Sequence, residues 1–207
     1  MTPEKRKKTA KILSLAVILA GFTVIIGWFF DIRILKSIAP AWVSMKFDTA
    51  IAFVLSGITL YFIVRAAEGE FDKAQVALSI TSLLIILLMG TLFFSAVLEI
   101  RTGAEDLFIK EAAGTAKTVT PGRPSMPTMV NFLMVAAAGI LTTLNPVNLR
   151  TKLRIIGLII GSVSALAIVG YIVNKPVLYY YIEGINSAVA CHTAALFMVL
   201  GIGFLCL

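Results

Sequence analysis

The residues that could do chemistry cluster at the starts of three apolar segments. Asp48 and Thr49 open one, Thr128 with Asn131 another, and His192 with Thr193 the last. Each Thr is followed four residues later by Phe and eight later by a small residue: Thr49, Phe53, Gly57; Thr128, Phe132, Ala136; Thr193, Phe197, Gly201. A spacing of four lines these residues along one helix face. Ala50 and Ala194 extend the match and Met129 interrupts it. Asp48, Pro127 and His192 take equivalent places directly before the Thr, so three segments around a common axis would bring Asp48, Thr49, Thr128, Asn131, His192 and Thr193 towards one another. Convergent polar groups in an apolar setting make a binding site for a small ligand. Trp42, Arg123 and Tyr179–Tyr181, Tyr180 among them, stand in connecting segments that can cover such a site.

A structural account competes with this one and the sequence leaves both open. Thr can cap a helix, Phe can fill the core, and a small residue lets helices approach. Asp48 also suits a helix start beside the positive end of the dipole. Asn131 is more telling, because an amide one turn inside an apolar span is costly without a partner.

Other chemistries lack their parts. No nucleophile with a base, metal cluster or phosphate cradle has its spacing here, so no enzymatic activity and no catalytic residue is expected. His192 is the sole histidine. Its co-ligands would have to be Cys191, Asp48 or Glu183 across helices, short of the usual ligand count, so no metal, haem or other cofactor is expected. Cys191 and Cys206 fall on one expected helix about 22 Å apart, too far to bond to each other.

The elements that must position these residues follow from hydropathy. Of 207 residues, 59% are hydrophobic and 14% charged, against roughly 25% charged in a soluble domain. Six apolar runs, at about 10–30, 47–64, 74–98, 128–144, 155–173 and 187–207, reach the length that spans a bilayer as helix. They are too long for barrel strands. The expected fold is an all-α membrane protein of six transmembrane helices, arranged as three pseudo-repeated hairpins in one domain. Each hairpin is an odd span, an outer segment of amphipathic character (Asp31–Val43, Ala104–Ala113 or Val177–Ile185) and an even span starting with the repeat.

The net charge of +7 sits in short loops and at the N-terminus, which reads as a topology signal and not as a nucleic-acid surface. Lys5, Arg6, Lys7, Lys8 and Lys11 precede the first span and place the N-terminus in the cytoplasm; six spans return the C-terminus there. The Arg65–Lys73 and Asn145–Arg154 loops are then inside. The first span is too long for a signal-peptide core and ends in Trp28, Phe29 and Phe30, as an uncleaved anchor would. Gly157, Gly161 and Ala165 form a small-residue ridge suited to close packing, within the subunit or between copies.

The stretch Pro121-Gly122-Arg123-Pro124-Ser125-Met126-Pro127-Thr128, with Asn131-Phe132-Leu133 after it, resembles a pattern of membrane sensor modules in bacterial and archaeal signalling proteins. Cys191-His192-Thr193-Ala194-Ala195-Leu196-Phe197 resembles the same pattern. The likeness loosely covers all six spans, and Met129 and Val130 depart from it. In that group the module precedes PAS, histidine-kinase or diguanylate-cyclase domains. The resemblance therefore implies a sensory input role in the plasma membrane, with an unknown small ligand or membrane-associated stimulus and a cytoplasmic output domain after Leu207. A homodimer is also expected, because two-component outputs work in pairs. The alternative is a small-solute or lipid transporter, whose coupling site would show midplane ionisable residues or broken helices.

Overall fold

Apolar runs that cannot be solvated satisfy their backbone internally, and here they do so as helices. The computed structural model describes residues 2–39, 41–112 and 115–207. Among them, five helices are long and apolar enough to cross a membrane: α1 (Pro3–Phe29), α2 (Phe47–Ala67), α3 (Phe71–Val97), α4 (Met126–Leu144) and α5 (Leu149–Ile172). A shorter apolar helix, α6 (Cys191–Leu205), completes the set. Apart from one isolated bridge between Ile182 and Asn186, the described regular structure is all helical.

Three helix starts differ most from expectation. α5 begins at Leu149 and not near 155. α1 begins at Pro3, where the fixed φ of proline suits a first turn and the Thr2 side chain accepts from the Lys5 amide at 3.4 Å. The last helix begins at Cys191 and not near Ser187, leaving 15 residues, or about 22 Å of rise. Ser187–Ala190 is drawn off the helix by bonds to other segments: the Ala188 amide donates to the Lys117 carbonyl at 3.1 Å and the Val189 amide to the Tyr179 carbonyl at 3.0 Å. α3 contains a π-helical stretch, Ile86–Gly90. Within the outer segments the described regular structure is limited to short helical pieces, Arg33–Lys36, Ala104–Asp106 and Pro176–Tyr179. Ala113, the expected end of the second, lies outside the described residues.

The helices divide by burial. In the most apolar window of α2 and α4, 56% and 50% of residues are buried, against 28–33% in α1, α3 and α5, so the even helices form the interior and the odd ones wrap it. The outer faces of the odd helices expose Leu19, Phe22, Leu83, Leu87, Leu158 and Ile159, a belt that suits lipid and not water.

Glycines set the close crossings. A Cβ on Gly57 would meet the Ser14 carbonyl at 2.7 Å, and one on Gly21 the Ala50 carbonyl at 2.9 Å; α1 and α2 are therefore in backbone contact. Gly157 and Gly201 face each other in the same way, a Cβ on either meeting the other's carbonyl at 2.8 Å. The small-residue ridge of α5 is thus used inside the chain, against α6.

At the centre, Phe53, Phe132 and Phe197 touch pairwise, with ring centroids 4.6–4.8 Å apart. All three are essentially inaccessible. The repeat phenylalanines of α2, α4 and α6 close a near-equilateral triangle and fill the interior where these helices meet.

Candidate functional site at the starts of the even helices

One turn above the phenylalanines, the repeat threonines meet. Thr49, Thr128 and Thr193 are buried and line a single cavity of about 10 Å3, room for about one water. Each is the third residue of its helix, so none is an N-cap. The caps are Lys46, Ser125 and Ala190, with φ from −69° to −63° and ψ from 144° to 153°. Three chains thus enter their helices in the same extended conformation, and their cap residues line the cavity with the threonines. Thr128 pairs with Ser125, oxygen to oxygen at 2.8 Å. Thr49 and Thr193 make no side-chain hydrogen bond among the described residues, although both face the cavity.

The other expected members of this cluster lie elsewhere. Asp48 is the second residue of α2, again not its cap, and its carboxylate turns into a neighbouring cavity of about 10 Å3 with Lys46, Glu105, Glu111 and Trp28. Asn131 is buried but lines neither cavity. His192 lines neither, and both its ring nitrogens lack a hydrogen-bond partner among the described residues. The pocket expected from six converging residues is therefore reduced to the three threonines, because successive helix positions turn by 100° and only every fourth residue keeps the inward face.

The covering residues also differ from expectation. Trp42 packs on Tyr171, ring centroids 4.8 Å apart. Tyr180 reaches down α5 and donates to the Val163 carbonyl at 3.1 Å. Tyr179 stacks on Tyr171 at 4.3 Å and bonds Lys117 at 2.7 Å. Over the threonines lie instead Ser44, Met45, Pro124 and Ala188.

The layer is locked by charges of which sequence reasoning singled out only Arg123 and not Lys46, Glu105 or Glu111. The Lys46 ammonium donates to Glu111 at 2.6 Å and to Thr118 at 2.8 Å, with the ion pair's side chains 5% and 3% exposed. Burial pushes Lys46 below the ordinary lysine range, and Glu111 pulls it part of the way back. The Gly122 amide donates to the other Glu111 oxygen at 2.7 Å. Gly122 itself has φ +76°, and a Cβ there would collide with the Glu105 backbone. Arg123 binds Glu105 at 2.6 Å, Ser95 at 2.8 Å and the Ile100 carbonyl at 2.7 Å. Burial alone would raise the Glu105 pKa, but hydrogen bonds from Ser95 and Arg123 hold it at about 2.

Thus the segment joining α3 to α4 reaches both neighbours: Glu111 and Thr118 hold the residue that starts α2, while the Val119 amide donates to Ser187 Oγ ahead of α6 at 2.9 Å. One signal pointed here, namely the length of the irregular segment between Leu98 and Ser125, since long loops in compact domains are commonly functional. The arrangement contains one buried cation, Lys46, and one partly buried, Arg123, facing three buried carboxylates, Asp48 being the one without an ion-pair partner among the described residues. It can bind a proton or a small ion, or change its pairing; it has no preformed volume for a larger molecule, for which 300–1,000 Å3 is usual. Compared with known proteins, the chain matches no family model, no curated protein and no solved structure.

Proposed function

We propose that this chain is the transmembrane sensory input module of a signalling protein, inserted in the plasma membrane as six spans with both ends cytoplasmic. The spans form three pseudo-equivalent hairpins, α1–α2, α3–α4 and α5–α6. The basic N-terminal stretch favours this orientation, and the matching entries into α2, α4 and α6 favour the threefold character.

One observation carries the functional reading: the starts of α2, α4 and α6 meet at a closed polar layer held by buried ion pairs, directly above a phenylalanine triangle that fills the axis. A stimulus that rearranges this layer moves the heads of three helices together. Since α6 runs from the layer to the cytoplasmic side, its tilt can carry the change to an output domain of the kinase or cyclase kind. The stimulus acts on the charges or on the surrounding bilayer, because the cavities are too small for a bulky ligand. Filled by aromatic rings, the axis gives a solute no route, which favours sensing over transport.

The test is a fusion of the chain, after Leu207, to a histidine-kinase output, run beside uptake measurements in proteoliposomes. Autophosphorylation that changes with outside pH, salt or lipid composition, without solute accumulation, supports the sensor. Solute accumulation with constant phosphorylation overturns it.

A further inference from the structure

The opposite end of the bundle carries a different kind of site. A cavity of about 470 Å3 opens among α1, α2, the start of α3, α4 and α5, below the phenylalanine triangle. Lys7 and Arg150 line it, no Asp or Glu side chain does among the described residues, and its apolar wall includes Ile63, Phe71, Leu153 and Leu207. The charge around it is unbalanced. Of the acids at this end, Glu68 is paired with Lys11 and Glu70 with Arg65; Glu4 and Asp72 are unpaired among the described residues, and they are outnumbered by Arg6, Lys7, Lys8, Arg150, Lys152 and Arg154, which also have no ion-pair partner among those residues. A positive rim over an apolar wall, at the level where helices leave the bilayer, suits an amphiphile with an anionic head.

We propose that this cavity binds an anionic phospholipid, its phosphate held by Lys7 and Arg150 and the upper part of its acyl chains lying on Ile63, Phe71 and Leu153. Only the choice of the cytoplasmic leaflet rests on the proposed orientation. Lys7 already donates to the Ala67 carbonyl at the cavity wall, so its ammonium stays near the opening even when unoccupied by lipid. Free phosphate would meet the cations but leave the apolar wall bare, which selects the lipid as the source of the anion.

The experiment titrates dioctanoyl phosphatidylglycerol into the purified chain in neutral detergent and follows thermal unfolding, with native mass spectrometry to count retained lipid. Phosphatidylglycerol should raise the melting temperature saturably with one lipid retained, whereas dioctanoyl phosphatidylcholine and inorganic phosphate should not. Arg150→Gln should weaken the apparent affinity about five-fold, the contribution of one basic residue at a membrane surface, and adding Lys7→Gln should weaken it further. Arg150 is solvent-exposed and makes no side-chain hydrogen bond among the described residues, so its variant folds even if the Lys7 variant does not. Equal stabilisation by the two lipids, a matching effect of phosphate alone, or unchanged affinity in Arg150→Gln would each overturn the proposal.

Discussion

Lys46 and Glu111 sit 2.6 Å apart with almost no exposure, so removing either one leaves a buried group without its counterion. Removing one partner of a buried pair costs about 3–5 kcal/mol, whereas replacing both with apolar residues is often far milder. Glu111→Gln should therefore lower the thermal stability of the purified chain much more than the double change Lys46→Met with Glu111→Leu; equal losses would show that the pair is not buried as described. Glu105 makes a pH prediction. Its folded pKa of about 2 lies below the ordinary 4.5, so its contribution is complete above pH 4.5 and is lost as pH falls towards 2. The melting temperature should fall across that window, and Glu105→Gln should remove this component of the fall. Gly122→Ala should be among the most damaging single changes, because it combines a positive φ with a backbone collision. Among these residues the threonines were legible from spacing, since helical period alone turns them inward. The ion pairs were not, because Glu105 and Glu111 lie in an irregular segment that no periodicity encodes.

At the scale of elements, the repeat was readable because it combines three residues at intervals of four, and that interval survives whatever packs around the helix. Phe53, Phe132 and Phe197 occupy equivalent places, each touching the other two. Truncating any one to Ala should cost about 3–5 kcal/mol, with similar losses in thermal denaturation for all three; a tolerated truncation would mean that one helix does not belong to the central triangle. Hydropathy set the existence of the helices but not the start of α6. Ser187–Ala190 is as apolar as the helix that follows, and its bonds to Lys117, Val119, Tyr171 and Tyr179 keep it extended. Such partners are distant in sequence, so local propensity carries no trace of them.

For the molecule as a whole, charge and burial divide the two ends. One end holds two ion pairs over the starts of α2, α4 and α6, with Asp48 beside them unpaired among the described residues; the other carries, around the large cavity, basic residues without an ion-pair partner among those residues. With Cys191 and Cys206 replaced, a single cysteine at position 5 or in the Arg150–Arg154 loop should react with impermeant maleimide only after the membrane is opened, while one at position 120 should react in intact cells; the reverse pattern would invert the proposed orientation. The central claim, that the closed polar layer controls an output at the far end of α6, is tested most directly by the kinase fusion carrying Asp48→Asn. This change removes the unpaired buried carboxyl group at small steric cost. The account predicts autophosphorylation clearly displaced from the unmodified fusion, with expression and melting temperature preserved. Unchanged autophosphorylation in a fully folded Asp48→Asn fusion, across the same range of outside pH and salt, would contradict it.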